Sequence, residues 1–286
     1  MGDDVELERT DDLEDQSSLL GFASSTPTPS PSNRILRILR PAFISPPRPQ
    51  KLRSTSYLDG LRGIAAFIVY VAHSEAWNHD ADEIQYGFGY RDHYAAITLP
   101  FVRVFITGGH AAVAVFFVIS GFVLSRRPLT LIRARSEDLY PVLASAVFRR
   151  GVRLYLPFVA VTVSFFTAWH VFGLSLEWPR PQPTFVGECV AWWNEFSLFV
   201  NPFRDPVDTW FTYDFPLWTI PVEFQGSILV YVLLLALSRV TRRARVVACC
   251  GLALYFLHIG LWQMFCFLCG LLLADLDVHG SDTAGR

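Results

Sequence analysis

LRGIAAFIVYVAHSEAW, residues 61–77, is an apolar run with an arginine at its start and a histidine eleven positions later, Arg62 and His73. A second run of membrane length, PLWTIPVEFQGSILVYVLLLAL at 216–237, carries Glu223. Ionisable groups at membrane depth are costly and face a cavity or a partner rather than lipid. The two runs therefore read as transmembrane helices with a reaction or transport site between them.

The rest of the chain supports that reading. Its 286 residues are 52% hydrophobic and only 17% charged, too apolar and too weakly charged for an ordinary soluble domain. Further long apolar runs lie at 109–124 and 152–172, and another at 246–276. The last is too long for one span of about 20 residues, and Gly260 near its middle marks a break into two short helices. The expected fold is all-α, a polytopic transmembrane bundle of five or six spans. Residues 1–56 read as a disordered tail, acidic first, then rich in Ser, Thr and Pro. A basic stretch follows, and within it SNRILRILRP, residues 32–41, is amphipathic. Residues 57–276 form the membrane domain and 277–286 a polar tail.

Net charge is −2, and nothing in the pattern points to nucleic acid. Five cysteines include one CxxC, Cys266 and Cys269, inside an apolar helix. A single such pair is a poor metal signal, so no metal site is expected.

Arginines set the orientation. They cluster before the first span, between the second and third (Arg126 to Arg153) and after the fourth (Arg239 to Arg245). All three clusters fall on one side, cytosolic by the positive-inside rule, which puts the N-terminus in the cytosol. The intervening segments are acidic or mixed. The long 173–215 segment carries six acids, two arginines and four tryptophans, and is expected to rest on the outer interface, where Trp is favoured.

Depth follows from topology. His73 stands twelve residues beyond Leu61, about 18 Å in at 1.5 Å per residue, past the midplane of a core of about 30 Å. Glu223 stands about 10 Å in from the opposite edge. The two are thus expected at similar depth, and a carboxylate there could orient an imidazole acting as base. Plainer roles exist for each candidate. Glu223 suits the first turn of a helix begun at Pro221. Arg62 pairs with Asp59 three positions before it. Arg149, Arg150 and Arg153 serve as topology anchors or hold phosphates. Ser120, Gly121 and Ser125 have the spacing of small residues that let helices approach closely.

LDGLRGIAAFIVYVAH (58–73), VFFVISGFVLS (115–125), FRRGVRLYLP (148–157) and PLWTIPVEFQGS (216–227) resemble, in that order, the blocks of the acyltransferase 3 family of integral-membrane O-acyltransferases. The resemblance covers residue 57 to the C-terminus. It implies transfer of an acyl group, commonly acetyl, from acyl-CoA as co-substrate to a hydroxyl of a carbohydrate, lipid or small metabolite, with no bound cofactor. His73 would be the general base and Glu223 its support. Arg62, with Arg149, Arg150 and Arg153, would attract donor phosphates, and Ser120 would line the substrate side. This chain departs from the pattern at Ala114, where many relatives carry an acid. Family members also have more spans, so the chain is expected to lack the C-terminal part. The rival readings are a proton-coupled transporter, in which a His–Glu pair relays protons, and an inactive partial copy.

Overall fold

The computed structural model describes residues 55–76, 86–92, 94–174, 180–204 and 211–280. The expected tail, with its basic amphipathic stretch, lies outside these residues up to position 54. Eight α-helices account for the described fold, with no strand among those residues. They are α1 (Ser56–Ala76), α2 (Pro100–Thr107), α3 (Gly109–Ala134), α4 (Leu139–Phe172), α5 (Phe185–Phe199), α6 (Thr219–Ala236), α7 (Arg242–His258) and α8 (Trp262–Gly280).

Among the described residues four segments are long and apolar enough to cross a membrane: α3, α4, α6 with its approach from Pro216, and α8. α1 and α7 occupy the other two expected span positions. α1 carries Asp59, Arg62 and Glu75, and α7 has only 17 residues with three arginines in its first turn. The expected break at Gly260 is present: α7 ends at His258 and Gly260 takes φ +82 before α8 begins. Glycine reaches that left-handed region without steric cost. The C-terminal boundary shifts, because Asp277 to Gly280 continue α8 instead of starting a polar tail.

α3 and α4 run longer than their apolar cores. α3 continues through Pro128 to Ala134 and stops where Arg135 turns left-handed, its N–H bonding the Leu131 and Ile132 carbonyls. α4 begins at Leu139, so only four residues separate the two helices. The arginines expected in an intervening loop therefore sit within helices, Arg126, Arg127 and Arg133 on α3 and Arg149, Arg150 and Arg153 on α4. At 34 residues α4 is about 51 Å long, well beyond a hydrocarbon core of about 30 Å.

The core sits where α3 crosses α8. A Cβ on Gly121 would lie 2.1 Å from the Phe267 carbonyl oxygen, and one on Gly270 would lie 2.1 Å from that of Val118. Two backbones are in direct contact there, as the small residues around Ser120 led us to expect. α6 joins this contact through Gly226, which lies against the Phe267 ring. Phe117, Leu129, Val222, Val230, Leu234, Phe267, Leu268 and Leu271 fill the centre.

At one end of the bundle the buried Asp275 of α8 accepts from Arg245 Nη2 at 2.7 Å and Arg242 Nε at 2.7 Å. Arg126 pairs with Asp277 at 2.9 Å, and Arg133 donates to the Val278 carbonyl at 2.8 Å. These contacts gather the ends of α3 and α8 and the start of α7 into a basic end.

Candidate active site

Three of the sequence candidates meet at the interface of α3, α4 and α6. Arg150 Nη2 donates to Glu223 Oε2 and, at 3.2 Å, to Ser120 Oγ. Ser120 Oγ in turn donates to Glu223 Oε1 at 3.1 Å. Arg150 Nε donates to Ser227 Oγ at 3.1 Å, while the Ser227 hydroxyl donates to the Glu223 carbonyl at 2.6 Å. Both carboxylate oxygens of Glu223 therefore have donors. The side chains of Arg150 and Glu223 are 13% and 19% exposed, so the pair is largely removed from solvent. Such a pair is held by mutual satisfaction, and removing one partner strands the other.

This arrangement differs from the expectation for two residues. Glu223 was expected to support His73 and Arg150 to attract phosphates, yet each is the other's partner. Sequence gives the depth of a residue along its helix. It does not give the face from which a neighbouring helix approaches, and here α4 supplies that neighbour.

His73 lies exposed in the last turns of α1. The carboxylate that feels its charge is Asp214, just before the 3-10 turn Phe215–Trp218 that leads into α6. Burial pushes the Asp214 carboxyl above its ordinary range, and the positive charge of His73 pulls it back down. Asp214 is held in place by the backbone: its N–H reaches the Phe211 carbonyl at 3.3 Å, and its own carbonyl accepts from Leu217 N–H at 3.4 Å. Imidazole is a common general base, and a nearby carboxylate can orient one. Sequence reading missed Asp214. The available signal was an acid two positions before the PLWTIPVEF block.

Arg62 pairs with Asp59 at 3.7 Å, one turn apart, and its side chain stays 33% exposed. Arg149 Nη1 donates to Ser145 Oγ at 2.7 Å. Arg153 is exposed and makes no ion pair among the described residues. None of these three enters the Arg150–Glu223 network. Cys266 and Cys269 are free thiols, buried and half-buried in α8, and no group of three metal-ligating side chains occurs among the described residues.

Beyond α4 the described residues of the 173–215 segment include α5. Thr184 caps α5, accepting from Gly187 N–H at 3.1 Å. α5 then packs along the far half of α4. Trp192, expected at the interface, is buried among Phe158, Phe166, Trp169, Phe199, Phe211 and Tyr213, and its indole N–H donates to Thr162 Oγ1 at 3.0 Å. Trp193 is exposed, and Trp178 and Trp210 lie outside the described residues. Glu188, 3% exposed, ties this cap together. It accepts from Tyr213 Oη at 2.6 Å and Gln182 N–H at 2.6 Å, and lies 3.3 Å from His170 Nε2. The cap thereby fixes the strand of chain that presents Asp214.

An acyltransferase-domain family matches residues 55–284. The O-acetyltransferase PaAT-1 of Phomopsis amygdali is 36% identical over 285 residues, which cover 88% of this chain and 54% of that protein. Acyltransferase R4 of Phoma sp. is 26% identical, covering 82% of this chain and 60% of its own. Acyltransferase clz18 of Cochliobolus lunatus is 25% identical, covering 84% and 61%. The chain thus spans roughly half to three-fifths of the length of these relatives. No solved structure matches it. With helices long enough to cross a bilayer and a family match over most of its length, this chain is an integral membrane protein belonging to the acyltransferase 3 family.

Proposed function

We propose that the protein is an O-acyltransferase that moves an acetyl group from acyl-CoA to a hydroxyl of a carbohydrate, lipid or small metabolite. The family match across 55–284, which includes all four quoted blocks, carries the reading. The printed name of the 36% identical relative, an O-acetyltransferase, favours acetyl.

In this scheme His73 takes the proton of the acceptor hydroxyl as its oxygen attacks the thioester carbonyl. A C–O bond forms and the C–S bond breaks. The departing thiolate recovers the proton from His73. Asp214 stabilises the imidazolium between those steps. Arg150, Glu223 and Ser120 hold α3, α4 and α6 in register and line the substrate side. Arg62, Arg149 and Arg153 attract donor phosphates. The basic end faces the cytosol, which puts the N-terminus there and the cap of α5 on the far side.

The test is transfer of radiolabel from acetyl-CoA to host glycans, lipids and small metabolites in membranes holding the chain, its His73→Ala variant or empty vector. Label incorporated by the intact chain and lost in the variant is the expected result. Inserted protein that gives no label above vector, or a variant as active as the parent, overturns the assignment. Substrate flux without acyl transfer would identify a transporter instead. Orientation is read separately, by the accessibility of tags at residues 137 and 180 in sealed vesicles.

A further inference from the structure

A cleft of about 500 Å³ opens on α3 at the basic end, lined by Phe122, Val123, Arg126, Arg127, Thr130 and Leu131, with Thr55 across from them. We propose that it seats one anionic phospholipid of the leaflet at that end, its chain against Phe122 and Val123 and its phosphate against Arg127 and Arg126.

The chemistry changes along the cleft as it does along a lipid. Apolar side chains at 122 and 123 give way to guanidiniums at 126 and 127 and a hydroxyl at 130, with Leu131 beyond them. That passage takes about 12 Å of helix rise, comparable to the step from upper acyl chain to headgroup. Val123 is 43% exposed, so the apolar wall opens outward rather than into the bundle. The lining holds two arginines and no acid. Arg127 is exposed and makes no ion pair among the described residues. Arg126 is held at the rim by its contact with Asp277. The Thr130 hydroxyl donates to the Arg126 carbonyl at 3.0 Å, which fixes its rotamer beside the guanidinium. Guanidiniums recognise phosphate through paired N–H donors, and basic residues at a leaflet surface draw anionic lipid. A soluble phosphate would satisfy the arginines and leave the apolar wall wet, which is why the occupant is a lipid. The inference stands apart from acyl transfer and survives its failure.

The full chain is reconstituted in nanodiscs of mixed phosphatidylserine and phosphatidylcholine, and the lipid it retains after exchange into detergent is counted by native mass spectrometry. The intact chain should retain phosphatidylserine in preference to phosphatidylcholine. Arg127→Ala should lower that retention about fivefold, while Arg239→Ala, a like change at the same end outside the cleft, leaves it within about twofold. Val123→Trp fills the cleft without altering charge and should abolish the preference. No preference in the parent, an equal loss in Arg239→Ala, or full retention in Val123→Trp overturns the proposal. So does displacement of the lipid by coenzyme A at equal concentration, which would mark a soluble-phosphate site.

Discussion

Replacing Glu223 tests the heart of the candidate site. Glu223→Ala removes the counter-charge of Arg150 and the acceptor of Ser120 Oγ. The guanidinium is then left 13% exposed with only two serine hydroxyls for company. Breaking a buried pair from one side costs about 3–5 kcal/mol. Residual exposure and the surviving bond to Ser227 place the expectation near the lower figure. Glu223→Gln keeps an acceptor but strands the charge, and should cost about half as much. The double variant Arg150→Met, Glu223→Met removes both charges and should recover most of the loss, because an apolar pair of similar volume avoids the desolvation penalty. The assay is unfolding of the purified chain in a mild detergent, followed by tryptophan fluorescence, for the parent, both single methionine variants and the double. The double should be more stable than either single, which makes the coupling between them larger than the cost of one alone. Additive singles would refute the reasoning, since they would mean that Arg150 and Glu223 do not depend on each other in the folded state.

Other expectations follow from the same geometry. Gly121→Ala puts a methyl 2.1 Å from the Phe267 carbonyl, a contact α8 relieves only by moving away. It should cost about 3 kcal/mol or more, seen as a lowered unfolding midpoint, whereas Gly251→Ala, in open space, should cost nothing. Tyr213→Phe removes a 2.6 Å hydrogen bond to a buried carboxylate and should cost about 1.5–3 kcal/mol. Limited proteolysis should then cut the 173–215 segment faster while leaving α8 intact. Asp214 gives a pH dependence. Burial raises its carboxyl above the ordinary 3.8, so the folded state holds the proton more tightly than the unfolded one. The stability this contributes is complete below pH 3.8 and is lost as pH rises through the folded value. Asp214→Asn should flatten that part of the pH profile of unfolding and stabilise the chain near neutrality, and an unchanged profile would refute the burial argument. His73→Ala removes the opposing charge and should move the transition upward.

Much of the architecture was legible because membrane helices declare themselves by hydropathy alone. The runs at 109–124 and 216–237 mark the centres of α3 and α6, and a glycine in a run too long for one span marks the turn at Gly260. Hydropathy does not show where a helix stops once it leaves lipid, so the extensions of α3 to Ala134 and of α4 back to Leu139 were missed. It also misread α5. Apolar residues at 185, 189, 192, 196 and 199 follow helical spacing, but the tryptophans suggested an interface, and Trp192 turned inward onto α4. At the site Ser120, Arg150 and Glu223 were legible as candidates. The partnerships were not, because they depend on which faces of α3, α4 and α6 meet.

Asp275 also bears on how the chain enters the membrane. It is synthesised 30 residues after Arg245, so α7 emerges with its arginines and no counter-charge. With 17 residues α7 is short for a lone span of about 20, and it leaves the ribosome without the acid that later neutralises its first turn. Only when α8 follows can the carboxylate settle between Arg242 and Arg245. α7 and α8 are therefore expected to insert as a hairpin: in a released chain truncated after Leu261, a cysteine placed at Leu257 should react with a water-soluble maleimide, and in one ending at Gly280 it should be protected.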